Sequence, residues 1–166
     1  NTYGAICGTS MAAPAVSGVL ALLLEDSRAR ALPDPPPAAL RALAYHSAIE
    51  VGPPGPDYTS GFGMMSPRGA LDLLRADAVR QGAADDGSVA VIPILVTDPN
   101  LPFVATLAWD DPPASAGAAT ALVNDLDLRV YDPAGARWHP FTLAPDSPSS
   151  PATQDRESHR ENAEKV

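Results

Sequence analysis

The chain holds a single cysteine, Cys7, which excludes an internal disulfide and any zinc site built from several thiolates. Basic residues are also scarce: 11 Lys and Arg stand against 20 Asp and Glu, a formal net charge of −9. Proteins that bind nucleic acid do so largely by neutralising phosphates, so no nucleic-acid partner is expected. No apolar run reaches the roughly 20 residues that a membrane-crossing helix needs, so no membrane span is expected either. Aromatic residues make up only 5%. What the chain does have is a 45% apolar share, enough for a packed core, and 19 prolines, which divide it into short segments. Its 166 residues accommodate one ordinary domain or two incomplete ones.

The densest apolar stretch is CGTSMAAPAVSGVLALLLE, from Cys7 to Glu25. Between Met11 and Leu24 the only polar side chain is Ser17, so a helix here has no face for water and is expected to be buried. Pro14 fits a helical first turn, which places the start near Ser10. A hydroxyl at that position has two readings. Thr9 or Ser10 caps the helix, or Ser10 is a nucleophile placed where backbone N–H groups and the helix dipole stabilise an oxyanion. Cys7 is expected to be a small buried residue packed beneath this loop.

The longer pattern Gly8-Thr9-Ser10-Met11-Ala12-Ala13-Pro14, with Val16 and Gly18, resembles the catalytic-serine segment of the subtilisin-like serine proteases, the subtilases. Leu40-Arg41-Ala42-Leu43-Ala44 resembles the next helix of that family. Gly61-Phe62-Gly63, Ser66-Pro67 and Ala70-Leu71 resemble the closing segment of its catalytic domain. The resemblance implies an α/β fold and peptide or protein substrates. It also implies a Ser-His-Asp mechanism with Ser10 as nucleophile and its backbone N–H in the oxyanion hole. Gly8, Thr9, Met11, Ala12 and Pro14 support the motif. No cofactor is required for that chemistry, and the resemblance implies an extracellular or periplasmic location.

Subtilases carry the triad in the order Asp, His, Ser. Neither Asp nor His occurs before Ser10, and Asn1 follows no recognisable oxyanion motif. The expectation is therefore the C-terminal part of a protease domain, inactive alone, whose triad acid, histidine and oxyanion asparagine lie upstream. His46, His139 and His159 come too late in the order. His46 is expected to favour the C-terminal dipole of its helix, His139 to sit in a strand or turn, and His159 in a charged tail. Two other classes compete. An α/β-hydrolase needs G-x-S-x-G after a strand, but Ala12 replaces the second glycine and Asn1-Thr2-Tyr3-Gly4 is a poor strand. A non-catalytic binding or structural module, a pseudoenzyme, is the other.

Along the chain, a charged, proline-rich connection from Arg28 to Pro37 leads into a helix carrying Leu40, Leu43, Ala44 and Ser47 on one stripe. Tyr58 to Met65 reads as extended. Ser66 is expected to cap a helix beginning at Pro67. Residues 82–88, rich in Ala, Asp and Gly, read as a linker between a peptidase part, 1–81, and a second part, 89–166. There the period changes to two: a β-branched run at Ser88–Val96, alternation from Phe103 to Trp109 and from Leu126 to Tyr131, then a turn at Asp132-Pro133-Ala134-Gly135 into Arg137 and Trp138. Short strands with proline-rich connections predict an antiparallel β-sandwich. Leu107-Ala108-Trp109-Asp110-Asp111-Pro112-Pro113 and Leu122-Val123-Asn124-Asp125-Leu126-Asp127-Leu128 resemble the jelly-roll domain that follows the catalytic domain in some subtilases. Arg160 to Val166 resembles the start of a later strand, so the sandwich is expected to be incomplete. Asp110, Asp111, Asn124, Asp125 and Asp127 gather hard oxygen donors suited to calcium, which the resemblance also implies; the same residues serve equally well as turn caps facing water.

Overall fold

The structure is a computed structural model describing residues 4–166. Three helices come first: α1, Thr9–Ala29; α2, Pro37–Ser47; and α3, Pro67–Arg75. Four short strands follow: β1, Thr106–Ala108; β2, Val130–Tyr131; β3, Arg137–Trp138; and β4, Ala163–Lys165. No helix among the described residues is long and apolar enough to cross a membrane. The poor strand expected at Asn1 to Gly4 falls mostly outside the described residues.

Each helix gives one side chain to a common apolar centre. Leu23 of α1, Leu43 of α2 and Ala70 of α3 are almost fully buried, with Leu20, Leu40 and Leu71 partly buried around them. The helix starts follow local chemistry. Pro37 opens α2 after Pro36, which needs no N–H there. Ser66 caps α3, its hydroxyl accepting from the Gly69 N–H at 3.1 Å, and Pro67 is the first helical residue. Asp26 and Arg75 tie α1 to α3 at 2.5 Å, and Arg75 holds the Asp26 carboxyl below its ordinary range.

Two expectations for α1 are corrected. Its N-terminal two-thirds is not buried: Met11, Val16 and Leu22 are exposed, because among the other elements only α3 packs closely on this helix, near its C-terminal half. Pro14 is not in the first turn either. The helix begins at Thr9, so Pro14 lies inside it and the Ser10 carbonyl loses the N–H donor that position would supply.

The strands form two ladders. β1 and β4 pair antiparallel, Thr106 opposite Lys165 and Leu107 opposite Glu164. The ladder continues past both ends, with reciprocal bonds between Ala105 and Val166 and a Trp109 N–H to Asn162 O bond. β2 and β3 form a hairpin across the expected turn. Asp132 Oδ1 accepts from the N–H groups of Ala134 and Ala136, both at 2.9 Å, and Gly135 takes the left-handed φ of 88° that the turn requires.

Antiparallel pairing is therefore present, but two packed sheets are not among the described elements. Ser88–Val96 forms no strand. Val89, Val91 and Leu95 are each more than 80% exposed, since among the described residues no strand pairs with them. Tyr58–Met65 is not a continuous extended segment but a set of turns closed by the Asp57–Gly61 and Ile49–Met64 bridges. Phe62 of this segment stacks on Tyr45 of α2, ring centroids 4.1 Å apart.

Ser66→Ala is expected to cost about 1 kcal/mol in urea unfolding, the ordinary value of a lost cap. Thr9→Ala, whose hydroxyl caps nothing, is expected to change stability by less than about 0.5 kcal/mol. Equal losses at the two sites would contradict the cap assignment.

Candidate active site

Ser10 is the second residue of α1 and is exposed. Gly8 precedes the helix as its N-cap with a φ of 145°, a conformation that a side chain would strain, and no side chain caps the helix. The capping reading of Thr9 and Ser10 is thereby corrected: neither hydroxyl is spent on the helix terminus. Only the N–H groups of Met11 and Ala12 turn back to the Gly8 carbonyl, at 3.0 and 3.2 Å. Among the described residues the Ser10 N–H has no backbone acceptor, as expected for a group in the first helical turn. Hydroxyl, free amide and the positive end of a 21-residue helix thus coincide at one exposed place. Cys7 beside it is exposed rather than buried, since no part of the described chain covers this loop.

Among the described residues none of the three histidines hydrogen-bonds Ser10. His46 Nδ1 lies 3.1 Å from Thr106 Oγ1, joining α2 to β1. Burial, and secondarily Lys165, push its pKa down, so the neutral ring is favoured; the C-terminal dipole expected to attract a proton is outweighed by desolvation. His139 offers its carbonyl to Gln154 Nε2 at 3.2 Å, while its Nδ1 is buried without a partner. His159 lies exposed in the charged tail, as expected, and is paired there: its Nδ1 lies 2.7 Å from Asp125 Oδ2 and 3.9 Å from Asp127 Oδ1. The hydrogen bond to Asp125 raises its pKa.

The five candidate calcium donors separate into two places, with Asp110 in neither. Asp111 folds onto its own loop, accepting from the Val123 and Asn124 N–H groups at 2.7 and 2.8 Å and from Asn124 Nδ2 at 2.9 Å, which lowers its pKa. The Asn124 carbonyl accepts from the Trp109 indole N–H at 2.9 Å. Asp125 and Asp127 lie instead with His159, one ligand atom from each within 4.8 Å of the others. Two carboxylates suit a hard cation, whereas an imidazole suits a transition metal, so the group fits calcium only through its two aspartates.

Sequence reasoning passed over one residue of interest here. Glu164 of β4 is 2% exposed. Its Oε2 accepts from the Leu128 N–H at 2.5 Å, while its Oε1 is buried without a partner. Burial above all, with Asp127 and Asp125 nearby, pushes its pKa to about 7, against the pull of the Leu128 N–H. The signal available in the sequence was its place between Ala163 and Lys165, on the opposite strand face from the lysine.

Comparison with known proteins follows the same segment. Residues 1–63 match the family described as Subtilase family. Fervidolysin of Fervidobacterium pennivorans is 35% identical over 99 residues, a match that covers 59% of this chain and 12% of that protein.

Glu164 sets a pH dependence. Its pKa is about 7 in the folded chain and about 4.5 unfolded, so the fold retains a proton that the unfolded chain releases. Its contribution to stability is full below about pH 4.5 and falls as pH rises through 7, by at most about 3 kcal/mol. Glu164→Gln is expected to abolish this component in urea melts across the range; an unaltered profile would show that the carboxyl does not titrate as described.

Proposed function

We propose, from the match of residues 1–63 to the subtilase family, that Ser10 is the nucleophile of a serine-type endopeptidase. The observation that carries the reading is an exposed hydroxyl, unspent on capping, at the N-terminus of α1 within the matched segment. Ser10 Oγ attacks the scissile carbonyl. The oxygen that gains charge is met by the Ser10 N–H and the positive end of α1; collapse of the tetrahedral intermediate breaks the C–N bond, the amine leaves with the proton that the general base took from Ser10, and an acyl-enzyme remains on Ser10.

No Asp or His precedes Ser10; the His46 and His159 rings meet Thr106 and Asp125, and the His139 Nδ1 is buried without a partner. The general base and its orienting acid are therefore assigned to a part of the protease outside this chain, in keeping with a match that spans only 12% of its relative. The 166 residues alone are expected to be inactive. Residues 89–166 are read as the beginning of a jelly-roll domain joined through 82–88, and secretion follows from the family reading. Asp125 and Asp127 are the residues of that part proposed to hold calcium.

In a complete protein containing this chain, Ser10→Ala should lower kcat for peptide hydrolysis by several orders of magnitude with little effect on folding. Undiminished turnover removes Ser10 from the mechanism. Turnover by the 166-residue chain itself, lost on Ser10→Ala, would instead bring in a downstream histidine and the hydrolase reading. For the cation, calcium is expected to raise the melting temperature by mass action and Asp125→Asn with Asp127→Asn to remove the rise. A midpoint indifferent to calcium and chelator removes the site.

A further inference from the structure

The two faces of the β1–β4 ladder are chemically distinct. Thr106 and Lys165 stand opposite each other on one face and meet α2: Thr106 Oγ1 lies 3.1 Å from His46 Nδ1, and Lys165 Nζ donates to the Tyr45 carbonyl at 3.1 Å. Arg41 of the same helix donates to the Trp109 carbonyl at 3.0 Å, at the end of β1. The other face carries Glu164, bound to Leu128. Alternation along the strand separates the two groups.

The α2 face is short of negative charge. His46 and Lys165 are both half-buried there, and among the described residues neither forms an ion pair. From the loop after α2, Glu50 favours charged Lys165, but its two oxygens already accept from the Val51 and Gly55 N–H groups at 3.3 and 2.9 Å. From α2 itself the charged neighbour is Arg41. The charged residues of α3 are occupied away from this joint: Arg68 with Asp72, and Arg75 with Asp26 of α1.

We propose that the joint between α2 and the β1–β4 ladder is a protonation latch, closed while His46 is neutral and loosened when His46 takes a proton. A neutral imidazole shares the hydrogen of the Thr106 contact and leaves Lys165 as the one titratable cation beside it. Protonation preserves that contact, since Nδ1–H then donates to the hydroxyl. It also sets a second positive charge near Lys165 in a half-buried space, where the Glu50 carboxylate that favours charged Lys165 is shared with the Val51 and Gly55 N–H groups. Burial and Lys165 both disfavour the charged ring, so the folded joint binds this proton less tightly than the free chain does. By linkage the closed joint is fully favoured above the ordinary histidine range and weakens as pH falls through it. The Glu164 face titrates in the opposite sense, weakening the ladder as pH rises.

Amide exchange of the 166-residue chain, corrected for the intrinsic pH effect, tests the latch between about pH 7.5 and pH 5. Opening at residues 105–109 and 163–166 is expected to increase several-fold on acidification, the direction that a lowered His46 pKa sets. Glu164→Gln should keep this acid response, and His46→Gln should lose it. Equal acid opening in His46→Gln and the parent would overturn the proposal. NMR titration of the His46 ring provides a second readout in a protein with intact α2. Lys165→Met should move the His46 midpoint to higher pH, and an unmoved midpoint contradicts the part assigned to Lys165.

Discussion

The rest of the structure depends on α2 being packed on two sides at once. Leu43 enters the apolar centre with Leu23 and Ala70, while Arg41, Tyr45 and His46 reach the β1–β4 ladder. An isolated two-stranded ladder is marginal in water, and this one gains its support from the helix. Buried Trp109 extends that support, as its carbonyl accepts from Arg41 and Asn162 and its indole from the far side holds Asn124. Removing α2 would separate the helical centre from every strand it touches. Proline placement explains why the helix stands there: Pro36 and Pro37 fix its start, and the Ile49–Met64 bridge closes the chain just beyond its end.

Much of the local structure was legible because single residues decide it. Ser66-Pro67 marks a cap and a first helical residue, and Asp132 to Gly135 marks a tight turn; each needs only its own neighbours. The helical stripe of Leu40 and Leu43 was legible for the same reason. Most of the failures are about partners. The apolar character of α1 led to an expectation of burial and the β-branched run at Ser88–Val96 to one of a strand, but composition cannot say which surface would meet either. Within these residues α3 covers only the later part of α1, and nothing pairs with Ser88–Val96. Pro14 misled in another way: the helix start was placed too near it, and the structure sets that start at Thr9.

The site was legible in part. Ser10 could be singled out because a small-residue segment opening an apolar helix is unusual and matches the subtilase motif. The structure adds that its hydroxyl is not a cap. The partners of two histidines were not legible because they come from distant sequence. Thr106 reaches His46 across 60 positions, and Asp125 reaches His159 across 34. The acidic segment from Asp110 to Asp127 divides for a related reason. Asp111 is drawn to backbone N–H groups of its own loop, which leaves Asp125 and Asp127 to the tail that folds back over them.

The central proposal is that Ser10 is the residue acylated during peptide hydrolysis. Labelling of a complete, active protein with a fluorophosphonate, followed by mass spectrometry of the peptide spanning Ser10, tests it most directly. The account predicts one phosphonyl group, carried on Ser10 and gained in step with loss of activity. Inactivation with the label on another serine, or full labelling without inactivation, would contradict it.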